Sequence, residues 1–229
     1  MSPQLPLALK FPPDQQLAAF EGNAQLQALV AAVARGDSED WLYLAGPSAS
    51  GKTHLLLAAA DIARRHGDAA AYLPLAACVD RVGIALGGLG AGGLVCIDGL
   101  DAIAGNLGDE TALFHFHNAA RQAGARLIYS ATGMPAALAF VLPDLVSRLG
   151  QCTRVSLDSL DEAGRRQVLR QRADRRGLEL EEAVLDYLFR RVGRDLATLT
   201  ALLDRIDHAS LAAQRRVTVP FLREFLERS

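Results

Sequence analysis

Gly46-Pro47-Ser48-Ala49-Ser50-Gly51-Lys52-Thr53 follows the apolar run Trp41-Leu42-Tyr43-Leu44-Ala45 and opens the stretch KTHLLLAAADIARRHG, residues 52–67. The eight residues fit G-x4-G-K-[ST] at every fixed position. The run before them reads as a buried strand, and the stretch after them as a helix stopped by Gly67. In that setting the glycines let backbone N–H groups turn inward around phosphate oxygens. The helix that starts at Lys52 aims its positive dipole end at the same place. Lys52 would reach the β and γ phosphates, and the Thr53 hydroxyl would serve Mg²⁺. Gly46, Ser50, Gly51, Lys52 and Thr53 are therefore the candidate phosphate contacts.

Working outward, short apolar runs alternate with helical patterns. Asn23 caps a helix over residues 24–35, with Leu26, Leu29, Val30 and Val33 on one stripe. Residues 69–75, 93–98, 125–132 and 152–157 read as further strands, and 109–124 as a helix. The glycine-rich GIALGGLGAGG, residues 83–93, reads as a flexible approach to its strand. Strands and helices in this order predict a parallel sheet covered on both faces. After residue 157 four helical stretches follow with no strand between them. The expected division is an arm over 1–16, an α/β nucleotide-binding part over 17–157, and a helical part over 158–229.

The strand Leu94-Val95-Cys96-Ile97 ends in Asp98. The C-terminal ends of strands are where ligands sit in an open parallel sheet. An acid there can orient Mg²⁺ and its waters, so Asp98 and Thr53 form the candidate metal pair through the nucleotide. Many ATPases of this layout place a second acid immediately after the first, to handle the attacking water. Here that position is Gly99, and Asp101 stands three residues beyond Asp98.

Composition bounds the rest. The chain has 229 residues, half of them apolar, enough for a sizeable core. A net charge of −2 lacks the basic balance of a nucleic-acid binder. Lys10 and Lys52 are the only lysines. Cys78, Cys96 and Cys152 show no metal or redox spacing and read as buried thiols of a reducing compartment. The N-terminus lacks a secretion signal, and no apolar run reaches the roughly 20 residues of a membrane span. A cytoplasmic protein with no membrane association is expected. The basic residues of 164–176 are interleaved with acids and read as a solvated helix face. His115 and His117 are two apart and diverge on a helix, so they do not suggest a metal pair.

Taken in order, the glycine loop, LVCIDGLDAIAG (94–105), LPDLVSRLG (142–150) and the all-helical tail resemble the AAA+ module of the DnaA family over nearly the whole chain. The arm QLPLAL narrows the resemblance to the family's regulatory inactivators. The implied fold is an AAA+ P-loop sheet sandwiched by helices, followed by a small helical lid. By the same resemblance Gln4, Leu5, Leu7 and Leu9 would dock on the polymerase sliding clamp. Arg148 would be an arginine finger acting in trans on a partner's nucleotide. Thr132 stands at a sensor position usually held by Asp or Asn. Ala197 stands where a sensor arginine is usual, and Arg194, one helical turn earlier, would have to replace it.

These departures, Gly99, Thr132 and Ala197, all concern hydrolysis, whereas the phosphate-binding residues are intact. The implied ligand is an adenine nucleotide, ADP favoured over ATP, with Mg²⁺. The implied activity is stimulation of ATP hydrolysis by the DnaA initiator, with little turnover of the chain's own. The implied partners are the initiator and the sliding clamp, through which the protein would reach the nucleoid. The sequence leaves homo-oligomerisation open. The helix-turn-helix domain of the initiator is not found before Ser229, so direct sequence-specific DNA binding is not expected. Two rival readings stand beside this one, an autonomous ATPase such as a helicase loader and a non-catalytic adaptor between clamp and initiator; a P-loop small-molecule kinase is a distant third, since the helical tail resembles an AAA+ lid.

Overall fold

The computed structural model describes residues 16–20, 23–89, 92–192 and 196–227. It divides into two compact units, Met1–Ser159 and Leu160–Ser229.

In the first unit five parallel strands, β1 (Leu42–Ala45), β2 (Ala70–Pro74), β3 (Leu94–Asp98), β4 (Arg126–Ala131) and β5 (Thr153–Ser156), form one sheet in the order β2-β3-β4-β1-β5. Helices α1 (Ala24–Arg35) and α2 (Lys52–Arg65) cover one face. Helices α3 (Val82–Gly87), α4 (Leu107–Gln122) and α5 (Pro143–Gly150) contribute to the core on the other. The period of two along each strand assigns side chains to faces. Leu42, Leu44, Leu94, Cys96 and Ile128 pack with α1 and α2. Tyr43, Val95, Ile97, Leu127 and Tyr129 pack with the opposite layer. The central strands therefore have no solvent face, which explains their unbroken apolar runs.

Three local expectations differ from the structure. β2 and β5 are edge strands and only partly covered, so not every strand is buried. Within the glycine-rich stretch, Val82–Gly87 forms a helix. Asp109 holds its start from a distance, accepting from the backbone N–H of Asp80 at 2.7 Å and of Val82 at 3.3 Å. Val82 and Leu86, one turn apart, are buried against the sheet. α4 begins at Leu107 rather than 109, because Asn106 Oδ1 accepts from the N–H groups of Gly108 and Asp109.

The second unit contains α6 (Glu162–Arg175), α7 (Glu182–Arg191), α8 (Leu196–Ala213) and α9 (Val219–Glu227) around a core that includes Leu169, Leu185, Leu203, Ile206 and Leu222. The basic face of α6 is paired: Arg166 meets Glu162, Glu182 and Asp186, and Arg170 meets Glu182. Among the described residues no helix is long and apolar enough to cross a membrane. Cys78, Cys96 and Cys152 are buried free thiols.

Candidate functional site

The glycine loop links the end of β1 to the start of α2, at the C-terminal edge of the sheet. Two of its glycines are required by space. A Cβ on Gly46 would stand 2.5 Å from the Leu157 carbonyl oxygen. Gly51 has φ +91°, and a Cβ there would stand 2.6 Å from the Phe20 ring. The segment before α1 thus lies over the first turn of α2, where His54 Nε2 also meets the Gln16 carbonyl at 2.9 Å. Lys52 folds over its own loop: Nζ donates to the carbonyls of Gly46 at 2.6 Å and Pro47 at 2.7 Å, and to Ser50 Oγ at 3.3 Å. Partial burial lowers the Lys52 pKa, while the nearby carboxylates of Asp98 and Asp101 act in the opposite direction. An anion in the loop would favour the charged ammonium further.

Asp98 is the hub of the site. Thr53 Oγ1 donates to its Oδ2 at 2.7 Å, which brings together the two residues expected to serve a metal. Tyr72 Oη donates to the same oxygen, also at 2.7 Å, and Ser130 Oγ donates to Oδ1. Ser130 Oγ in turn accepts from the Gly99 N–H at 3.0 Å. Tyr72 and Ser130 escaped the sequence reading. A signal existed for Ser130, a small hydroxyl residue near the end of the mostly apolar β4. Tyr72 could not be found without the pairing of Tyr72 with Cys96 and Pro74 with Asp98 across β2 and β3.

Gly99 has φ +78°, a backbone that disfavours an acid in its place. Asp101 lies in a short 3-10 turn, Leu100–Ile103, and its Oδ1 accepts from the Thr132 N–H at 2.8 Å. The Thr132 residue itself is exposed at the end of β4. A Mg²⁺ ion with a nucleotide phosphate fits this donor set, since hard oxygens from Thr53 and Asp98 converge beside Lys52.

Arg148 is not part of this cluster. It lies in the last turn of α5, five residues before β5, and β5 begins level with the start of β1. The glycine loop follows the other end of β1. Near Arg148, His117 is buried, stacks on Tyr129 and meets the Trp41 ring edge-on at 4.6 Å. Burial lowers the His117 pKa to about 4, and the charges of Arg121 and Arg148 add to the effect. Gln4, Leu5, Leu7, Leu9 and Arg194 lie outside the described residues, as does the side chain of Ala197.

Residues 155–226 match the protein family described as Hda, lid domain. Among solved structures, AMPPCP-bound DnaA from Aquifex aeolicus superposes with a TM-score of 0.65 at 23% identity, covering 85% of this chain and 65% of that one. The chain thus spans about two thirds of the length of that DnaA chain. Domain III of the Thermotoga maritima replication initiation protein DnaA gives 0.73 at 20% identity, covering 93% and 98%. The Thermotoga maritima RuvB Holliday junction branch migration motor gives 0.64 at 20% identity, covering 93% and 71%. At these identities the likeness is one of fold. Residues 155–226 thus resemble a lid of the Hda type, and the chain shares its fold with DnaA.

Proposed function

We propose that the protein holds an adenine nucleotide at the glycine loop and down-regulates replication initiation by stimulating ATP hydrolysis on DnaA. The observation that carries this reading is the placement of Arg148 at the opposite end of the sheet from the chain's own glycine loop. An arginine there is far from the chain's own glycine loop and would serve a nucleotide held by another molecule. Its planar, permanently charged guanidinium suits charge developing on a transferred phosphoryl group. The Hda-type lid and the DnaA-like fold support the initiator as the partner.

Gly46, Ser50, Gly51, Lys52 and Thr53 would cradle the phosphates, with Mg²⁺ between Thr53 and Asp98. The ion would supply charge neutralisation on the phosphates. Thr132 would lie near the γ position, and Arg194 would act from the lid. ADP is the favoured resident, because Gly99, Thr132 and Ala197 depart from the residues that support turnover. The motif Gln4 to Leu9 would tether the protein to the sliding clamp. The glutamine amide would read a polar notch, and the leucines would fill an apolar pocket. The work would take place in the cytoplasm, on clamp-loaded DNA.

The test is hydrolysis by ATP-loaded DnaA in the presence of clamp-loaded DNA. The protein should accelerate it. Arg148→Ala should abolish the acceleration while leaving clamp binding intact. Gln4→Ala with Leu5→Ala should abolish both. Full stimulation by Arg148→Ala would turn the reading into that of a non-catalytic adaptor. Rapid ATP turnover by the protein alone, lost in Lys52→Ala, would favour an autonomous ATPase.

A further inference from the structure

Glu110 lies in the first turn of α4 and is fully buried. A carboxylate without water needs compensating donors, or its burial is costly. Glu110 receives them from two separate segments. Oε1 accepts from the Gly105 N–H at 2.7 Å. Oε2 accepts from the Val141 N–H at 3.0 Å and the Leu142 N–H at 2.7 Å, and Oε1 also approaches Val141 N at 3.2 Å. Hydrogen bonds to an ionised acceptor are short and roughly twice as strong as neutral ones.

The two segments matter for what they carry. Gly105 closes the stretch that leaves β3 through Gly99 and the 3-10 turn bearing Asp101, the residue that holds Thr132. Leu142 is the residue from which α5 starts, and no side chain of its own caps that helix. α5 has only eight residues, with Leu145 and Leu149 buried, so fixing its first residue goes far toward fixing Arg148 on its last turn. A single carboxylate therefore ties the start of the arginine-bearing helix to the loop beside the glycine-loop site.

We propose that Glu110 is the positioning residue for Arg148, setting where α5 presents its guanidinium to the partner's nucleotide. This rests on the trans role of Arg148 proposed above.

The experiment titrates the nucleotide-loaded full-length protein into ATP-bound DnaA with clamp-loaded DNA. It reads two quantities, the plateau rate of hydrolysis and the half-saturating concentration. Glu110→Gln keeps the size of the side chain and replaces one acceptor oxygen by an NH₂ group facing backbone donors. The plateau should fall about tenfold, with half-saturation and the protein's own nucleotide affinity within twofold of wild type. Amide exchange in the peptide spanning 138–146 should accelerate. In the Arg148→Ala background the substitution should cost nothing further. A merely structural loss would reduce the folded fraction, which raises the half-saturating concentration and leaves the plateau.

A wild-type plateau in Glu110→Gln, or a change in half-saturation alone, would overturn the inference. Failure of the trans reading itself shows separately, as absent stimulation by wild type or full stimulation by Arg148→Ala. Should Glu110→Gln fail to fold, Glu110→Asp, which keeps the charge and shortens the reach, is read by the same two quantities.

Discussion

Tyr72 Oη donates to Asp98 Oδ2 at 2.7 Å, sharing that oxygen with Thr53 Oγ1. The tyrosine is a dependable donor: burial, followed by its bond to Asp98, raises its pKa well above the ordinary value. With Ser130 on Oδ1, the carboxylate is held in one rotation. Tyr72→Phe deletes a bond to a charged acceptor, a loss of about 1.5–3 kcal/mol when buried and less here, where the side chain is partly exposed. The freed carboxylate should then hold a Thr53-bound metal less well. Affinity for fluorescent ADP should drop several-fold in Mg²⁺ and stay unchanged in EDTA. Equal losses in both conditions would assign Tyr72 to packing alone.

The parallel sheet and the glycine loop were legible because each rests on local signals: apolar runs of strand length, a fixed spacing of glycines, and strand and helix on either side. The helical stretches of the lid were legible in the same way. Tyr72, Ser130 and Glu110 were not, because each has a partner 26 to 32 positions away that only strand register or tertiary packing brings to it. The helix at Val82 was missed for a related reason: its cap is Asp109, far along the chain, whereas the local sequence offers mostly glycine and alanine.

Gly51 and Gly67 share a left-handed backbone, φ +91° and +86°, but differ in surroundings. An alanine at Gly67 would meet nothing within 4 Å, so its cost is conformational, roughly 1–2 kcal/mol. At Gly51 the same strain is joined by a clash with Phe20. Gly51→Ala should therefore destabilise the protein by at least ~1 kcal/mol more than Gly67→Ala in urea unfolding, and it alone should weaken nucleotide binding. Equal unfolding midpoints for the two variants would show that Phe20 moves aside freely.

His117 couples stability to pH. Its Nδ1 meets Tyr129 Oη at 3.0 Å, and its buried Nε2 has no partner among the described residues. With a folded pKa of about 4 against an ordinary 6.5, the unfolded chain binds the proton more tightly between these values. The stabilisation is complete above pH 6.5 and is lost as pH falls toward 4, amounting to about 3 kcal/mol. His117→Gln keeps a hydrogen-bonding side chain and removes the titration. The difference between urea midpoints at pH 7.5 and pH 5 should shrink in the variant. An unchanged difference would assign the acid sensitivity to other groups.

In the proposed reading Gly99 takes the place where a second acid would complete a hydrolytic pair, and its backbone argues against simple restoration. At φ +78° an L-residue costs roughly 1–2 kcal/mol, although a Cβ would meet nothing within 4 Å. The Gly99 N–H is also committed to Ser130 Oγ, which itself serves Asp98. A glutamate at this position would either keep the strained backbone or relax it and pull on the Ser130–Asp98 pair. Gly99→Glu should thus lower stability by about 1 kcal/mol and leave ATP turnover in the isolated protein near its wild-type level. Appearance of rapid, Lys52-dependent turnover in Gly99→Glu would show instead that the missing acid alone silences the site, and that Thr132 and Ala197 suffice as they stand.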